Sequence, residues 1–352
     1  MTKDILIIGA GLSGLLAAYR LKNRGFNVKV VEARNRIGGR IYTKTTEDKT
    51  PVEMGATWFW DENTDLKSLF DELNIEHFVQ NMQGTAFFEA FSALPPQEVQ
   101  IPKQPQSYRI TGGTSNLLRK LASNLTSDEL LLSQAVKGMD FSGEKTTVET
   151  NDSTYEADIV IVTIPPALFV ENVSVNPHFG DNFLNISKAT HTWMKDSIKV
   201  AVSYEKPFWK VGNFSGTVFS NVGPITEFYD HSNAENTKFA LCGFMNGGLV
   251  QFTKAEREEK IRTQLRKIFG EEGAGFIAYE ETLWMNEPFT NLPTERYIQA
   301  HQNNGHAIYQ QSLFNGKLFI AGTETSPEFG GYMEGAIRAV ERVVGQVINE
   351  SR

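Results

Sequence analysis

One cysteine in 352 residues, Cys242, rules out an intramolecular disulfide and gives no sign of an oxidising compartment. No apolar run approaches the roughly 18 residues that cross a bilayer, and Ile5–Ile8 is too short for the core of a secretory signal. Positive charge is scarce as well: 34 Lys and Arg against 42 Asp and Glu leave a net charge of -8. That balance argues against a nucleic-acid surface and leaves small molecules as the expected partner. The spacing of metal ligands is missing, and so is the G-x-S-x-G elbow of a serine nucleophile. His301 and His306, in "HQNNGH", read as exposed side chains of a polar loop. Together these absences lead us to expect a soluble, cytoplasmic chain with no metal, membrane span or nucleic acid. Oligomeric state leaves no trace in the sequence.

What is present is glycine in two telling places. Residues 4–32 read "DILIIGAGLSGLLAAYRLKNRGFNVKVVE". Ile5–Ile8 is the short, wholly apolar strand of a buried parallel sheet. It enters Gly9-Ala10-Gly11-Leu12-Ser13-Gly14 and then a helix, expected from about Leu15 to Arg24 and ended by Gly25. A second strand, Asn27–Val31, finishes at Glu32. Gly9 suits the tight turn, Gly11 the approach of a pyrophosphate to a helix N-terminus, and Gly14 close packing of helix on strand. The Glu32 carboxylate suits the two ribose hydroxyls and disfavours a 2′-phosphate. These parts in this order predict dinucleotide binding, without choosing between NAD and FAD.

The next residues favour FAD. "EARNRIGGRIYT" sets Arg34, Arg36, Gly38, Gly39 and Arg40 directly after the second strand, where glycine lets the backbone pass close to a long cofactor and arginine offers charge to its phosphates. "VEMGATWFW" adds Gly55, Ala56 and Thr57, small residues that can lie against a flat ring. Near the other end, "LFIAGTETSPEFGGYMEGAIRAVERVVGQV" runs from an apolar strand through Gly322, Gly330 and Gly331 into an amphipathic helix starting near Tyr332. A second helix N-terminus of this kind can stabilise negative charge on a reduced flavin ring.

Between these ends, residues 58–107 read as polar and irregular, closing on the Pro-rich "ALPPQEVQIPKQPQ". A glycine turn and helix follow at "YRITGGTSNLLRKLA", then strands up to Pro165. Residues 198–248 alternate like antiparallel strands, and "KAEREEKIRTQLRKIFG" is a helix with Ile261, Leu265 and Ile268 inward. The fold expected is α/β: a Rossmann-type FAD-binding domain from residues 1–57, 108–166 and 315–352, interleaved with an α+β substrate domain holding a mixed or antiparallel sheet, from 58–107 and 167–314.

In combination, "GAGLSG" with Glu32, "RIGGRI", "GATWF", "IKVAVSYEKPFW" and "AGTETSPEFGGYMEGAI" resemble the flavin-containing amine oxidases, the monoamine and polyamine oxidases. The resemblance implies FAD, a small-molecule amine and O2. It implies that Lys199 holds a water at flavin N5, that Tyr332 stands beside the ring, and that the Met333 backbone faces it. Gly322 and Glu324 would lie near the ribityl and phosphate part, Val136 at the adenine, and Trp284 against the flavin. Trp58, Phe329 and Tyr332 would line the substrate side. Two departures stand out. The cysteine that bonds the flavin in mitochondrial relatives has Pro293 in its place, so FAD is expected to be non-covalent. The second aromatic wall beside the ring corresponds to Thr294, with Tyr297 as a substitute. The stretch after "GATWF" is also shorter than the helical cap of typical relatives. Arg109 and Arg296 are the candidates for a substrate carboxylate. The activity implied is hydride transfer from an amine α-carbon to flavin. A carbon–carbon desaturase on the same scaffold, and a non-catalytic FAD-binding accessory protein, are the alternatives.

Overall fold

The structure, a computed structural model, describes residues 2–292 and 297–350. Its central element is a five-stranded sheet in the order Leu130–Leu131, Asn27–Val31, Asp4–Ile8, Ile159–Val162, Leu318–Ile320, with all neighbours parallel. These strands come from three separated stretches of chain. Ile5 and Ile7 point to one face, where helices Leu12–Lys22 and Met333–Glu350 pack. Leu6 and Ile8 point to the other, where Met139, Phe141 and Val148 of a small four-stranded sheet cover them. Both faces are covered, which is why the strand reads as continuous hydrophobicity rather than alternation. The first helix starts at Leu12, three residues earlier than its apolar pattern suggests, because Gly11 is already its N-cap.

A second, seven-stranded sheet runs Ala278–Leu283, Ile198–Tyr204, Phe239–Met245, Ile225–Asp230, Phe214–Ser220, Thr85–Glu89, Gln97–Gln100. It is antiparallel except where Phe214–Ser220 meets Thr85–Glu89. On one face Ile198, Val200 and Val202 pack with Ile261, Leu265 and Ile268 of helix Lys254–Ala274, the three inward positions the periodicity indicates. That helix opens on a Thr253/Glu256 capping box. On the other face Ala201 and Cys242 pack against Val52 and Met54, next to the small-residue segment Gly55–Thr57. Strand Ile198–Tyr204 is therefore buried along its whole length.

Residues 58–107 are less irregular than their sequence suggests. Leu66, Leu69 and Phe70 share the buried face of helix Thr64–Leu73, and Thr85–Glu89 pairs with Gln97–Gln100 as a hairpin at the sheet edge. Leu66, Leu69, Phe70 and Leu73 do recur at helical spacing, but within a single short element set among polar residues and prolines. Prolines flank Gln97–Gln100 and leave only an edge position open to it.

Two glycines separate packing from propensity. A Cβ on Gly14 would lie 1.8 Å from the Gly9 carbonyl oxygen, whereas one on Gly345, in an exposed turn of Met333–Glu350, meets nothing within 4 Å. Gly14→Ala is expected to destabilise the protein by roughly 1–3 kcal/mol through forced separation of helix and strand. Gly345→Ala should stabilise it by roughly 0.5–1 kcal/mol through helix propensity. Denaturant unfolding of both variants checks the pair.

Candidate active site

The two glycine turns open into the same cavity. It has a volume of about 640 Å³ and runs from Glu32 and Val136 at one end to Lys199 and Tyr332 at the other. Cavities of roughly 300–1,000 Å³ hold small molecules and cofactors. At the first end the N-terminus of Leu12–Lys22 faces it through Gly11 and Leu12. Gly11 and Gly39 both line the cavity and lie against each other, a Cβ on Gly39 falling 3.7 Å from the Gly11 Cα, so the wall here is bare backbone. The buried Glu32 carboxylate accepts hydrogen bonds from the backbone N–H of Ala10 (2.8 Å) and of Arg34 (2.9 Å), which fixes it at the strand end. Arg34 in turn pairs with Glu287 at 3.1 Å and donates to Thr290 Oγ1 at 2.8 Å.

In the middle, Arg40 lines the cavity and pairs at 2.5 Å with Glu324, whose side chain is fully buried. Glu324 Oε2 has no hydrogen-bond partner. Glu324 itself does not line the cavity, contrary to the expectation from sequence; it holds Arg40 from behind, and its second oxygen lies on the Gly322 side. Gly55 brings its strand against the Arg40 carbonyl, where a Cβ would come within 2.1 Å.

At the far end Lys199 has no solvent exposure, yet it lines the cavity. Its ammonium donates to Thr57 Oγ1 at 3.1 Å and sits 4.2 Å from the ring centres of both Trp58 and Phe244. Burial holds its pKa below the ordinary 10.5. Lys199 belongs to the strand face opposite Ile198 and Val200. The period of two that would send a lysine to solvent on an open sheet here sends it into the cavity, because that face is covered. Trp58 is steadied by its indole N–H, which donates to Gln80 Oε1 at 3.0 Å.

The N-terminus of helix Met333–Glu350 closes this end, with Gly331, Tyr332 and Met333 lining the wall. The Glu334 carboxylate, buried, turns away to accept from the N–H groups of Asp65 (3.1 Å) and Leu66 (2.9 Å) and so caps helix Thr64–Leu73. Tyr332 is 39% exposed and lies nearly parallel to Trp193 and His301, with ring centres 5.7 and 5.9 Å away.

Most residues singled out in the sequence thus meet at one cavity: Gly9, Gly11, Glu32, Arg34, Gly39, Arg40, Gly55, Ala56, Thr57, Trp58, Val136, Lys199, Gly331, Tyr332 and Met333. Others stand elsewhere. Gly14 packs helix on strand, as expected of it. Trp284 is not at the cavity; its indole N–H donates to the Met54 carbonyl at 2.6 Å, so it supports Gly55 from behind. Gly322 is buried under the cavity floor, near the Thr163 and Ile164 carbonyls. Phe329 does not line the wall, because its ring turns under the Arg338 guanidinium, 4.9 Å away. Tyr297 is 86% exposed and does not serve as the second wall; Trp193 and His301 occupy the side of Tyr332 instead. His301, exposed but stacked, and half-buried His306, whose Nδ1 accepts from Ile308 N–H, are more engaged than a free polar loop would make them.

Arg109 is buried, donates to the Ser232 carbonyl and lies over Phe78, and burial lowers its pKa to about 10. It does not reach the cavity and is removed as a carboxylate ligand. Pro293, Thr294 and Arg296 lie outside the described residues. The sequence reading missed Trp193, Tyr229, Phe244 and Glu227, all of which line the cavity. Their roles depend on long-range strand pairing that no local pattern reports.

A parallel sheet with a glycine turn at one helix start, a terminal acid and a second helix start on the same cavity is the arrangement of a nucleotide-cofactor-binding α/β fold. The family described as flavin containing amine oxidoreductase matches residues 12–95 and 88–348. The chain belongs to that family. It is 24% identical over 453 aligned positions to flavin-containing amine oxidase B of Cavia porcellus, covering 98% of this chain and 86% of the relative. It is 25% identical over 460 positions to flavin-containing amine oxidase of Oncorhynchus mykiss, covering 99% and 86%. Both alignments are longer than the chain, so the relatives carry insertions. Among solved structures it resembles putrescine oxidase bound to putrescine (TM-score 0.85, 20% identity, 99% of each chain). It also resembles cyclohexylamine oxidase from Brevibacterium oxydans (TM-score 0.85, 20% identity, 100% of each chain).

The burial of Lys199 has a measurable cost. Its folded pKa is lowered from 10.5, so between the two values the unfolded chain holds a proton that the folded protein gives up. Stability then rises with pH through that window and is greatest above 10.5. In the flavin-free protein Lys199→Met is expected to stabilise the fold by roughly 0.5–2 kcal/mol and to flatten this pH dependence. Chemical unfolding at several alkaline pH values checks both.

Proposed function

We propose that the protein is an FAD-dependent amine oxidase that holds its flavin without a covalent bond. The observation that carries the proposal is a fully buried lysine on a cavity that also receives two helix N-termini, in a chain of the flavin containing amine oxidoreductase family. In this reading the division of the chain expected from sequence assigns the parallel sheet to FAD and the seven-stranded sheet to substrate. The Gly9–Gly14 turn and the start of Leu12–Lys22 take the pyrophosphate, Glu32 the ribose, and Val136 borders the adenine. Arg40, held from behind by Glu324, serves the middle of the cofactor, and the backbone at Met333 meets the ring with its N–H groups.

The cavity supports this fit by Gly11, Gly39 and Arg40 in its wall and by the helix start at Gly11 that opens into it. Non-covalent attachment is supported by the only cysteine. Cys242 lies in strand Phe239–Met245, away from the cavity lining, and donates to the Glu53 carbonyl. Burial pushes its thiol up to about 11, so it stays protonated and unreactive.

A flavin bound there would supply two-electron acceptance, taking a hydride from the α-carbon of an amine to leave an imine for hydrolysis and passing the electrons to O2 as hydrogen peroxide. The chain's own residues do the rest. Trp58, Tyr229 and Phe244 form an aromatic wall that excludes water from the reacting end. Lys199 needs no protonated form to act; its nitrogen keeps hydrogen-bonding capacity beyond Thr57 and is fixed to hold a water at the reacting end. Tyr332 presents its ring on the approach to the same end. The desaturase and the non-catalytic alternatives are not favoured, since the relatives and structural neighbours are named as oxidases of amines.

Anaerobic addition of a panel of amines to the purified protein tests the reading. We expect at least one amine class to bleach the visible flavin bands, with peroxide appearing when air returns. A yellow protein reduced by dithionite but by no amine would sink the proposal. Acid precipitation should release all of the flavin to the supernatant; colour remaining in the pellet would contradict non-covalent binding.

A further inference from the structure

The substrate end of the cavity contains one carboxylate that no cation contacts, although Lys199 feels its charge across the cavity. Glu227 lines the wall, accepts a hydrogen bond from the Tyr229 hydroxyl at 2.8 Å through Oε2, and joins no ion pair among the described residues. Its position relative to Lys199 is fixed by strand register. Lys199 sits opposite Phe244, and Phe244 sits opposite Glu227, so the three side chains form one row across adjacent strands on the cavity face. Two strand spacings separate Lys199 from Glu227, roughly 10 Å between backbones. Phe244 stands between them, with the Lys199 nitrogen 4.2 Å from its ring centre. That ring keeps lysine and carboxylate from closing on each other and leaves the carboxylate available.

The space along the row suits a hydrocarbon chain. Trp58 and Tyr229, edge to face at 5.1 Å, join Phe244 in lining it. Aromatic faces pack against methylenes and attract a passing ammonium. A carboxylate at the end of such a wall has an energetic reason to be matched by a cation, because an unpaired charge in a partly closed cavity is costly.

We propose that Glu227 is a second-cation subsite, and that the substrate is a short aliphatic diamine. One amine is oxidised near Lys199 while the other, as an ammonium, pairs with the Glu227 carboxylate. This rests on the amine-oxidase reading above and specifies its substrate class. The subsite orients the chain along the aromatic wall, so it acts on specificity and not on the hydride transfer itself.

The test compares putrescine with butylamine, which have the same number of carbons and differ in the distal charge. Stopped-flow reduction of the oxidised holoenzyme under anaerobic conditions separates the apparent Kd from the limiting rate. Wild-type protein should bind putrescine roughly tenfold or more tighter than butylamine, as a charge-assisted pair requires. In Glu227→Gln that ratio should fall to near one. γ-Aminobutyrate, whose distal group is an anion, should be excluded by wild-type protein and should gain affinity in Glu227→Gln. Because each result is a ratio within one protein, a partly unfolded variant does not imitate it. A wild type that binds both amines alike, or a Glu227→Gln that keeps the preference for putrescine, overturns the subsite while leaving amine oxidation standing. Reduction by no amine at all overturns both.

Discussion

A buried ion pair, Arg40 to Glu324, links the two ends of the chain at the middle of the cavity. Arg40 follows the Gly38-Gly39 turn next to the N-terminal glycine motif, and Glu324 follows the last strand of the parallel sheet. Glu324 has no exposure of its own, so its charge depends on Arg40 and on whatever meets its second oxygen. Removing one partner from such a pair leaves a charge buried and alone, at a cost of roughly 3–5 kcal/mol. The glycine turns are thereby held at a fixed separation, with the rest of the site arranged around that span. The same pair sets the Arg40 side chain in the cavity wall, where its guanidinium can meet a ligand. A contact that stabilises the fold here also prepares the binding site.

Next to this sits a residue that stabilises nothing. Lys199 is carried into the interior by a strand whose other face belongs to a separate hydrophobic core. The alternation along Ile198–Tyr204 serves two masters: Ile198, Val200 and Val202 hold helix Lys254–Ala274, while Ala201 packs on Val52 and Met54 and Lys199 enters the cavity. The lysine is kept by its rigid surroundings and not by a counter-ion, since its contacts are a threonine hydroxyl and two aromatic rings. Strain of this kind, concentrated at a cavity, is what a stability–activity trade-off looks like at one residue.

The first glycine turn was legible because each of its parts lies within about thirty residues of the others: a strand, Gly9, Gly11, Gly14, a helix, a second strand and Glu32. The amphipathic helices were legible for the same reason, with Ile261, Leu265 and Ile268 on one face. Helix Thr64–Leu73 has the same spacing in its four apolar residues, Leu66, Leu69, Phe70 and Leu73, but they fall in one short element enclosed by polar residues, which masks it. Its start is capped from a distance by Glu334 rather than by its own Asn63. Glu227, Phe244 and Trp193 could not be placed, because they meet Lys199 and Tyr332 only through pairings between strands and loops far apart in sequence. Phe329 and Trp284 have the right residue type beside the right motif, yet one rotates under Arg338 and the other supports the site from behind. Neither turn of direction is written in spacing.

The diversion of Glu334 carries a consequence for the electric field in the cavity. It is the acidic residue of the first turn of Met333–Glu350, the position from which a carboxylate ordinarily offsets the positive end of a helix dipole. Here the carboxylate is committed to the start of a neighbouring helix and to Arg338. One acidic side chain therefore quenches the N-terminus of Thr64–Leu73 and leaves that of its own helix only partly compensated where it meets the cavity. Any group that gains an electron pair there finds a fixed positive potential already in place, with no side chain required to move.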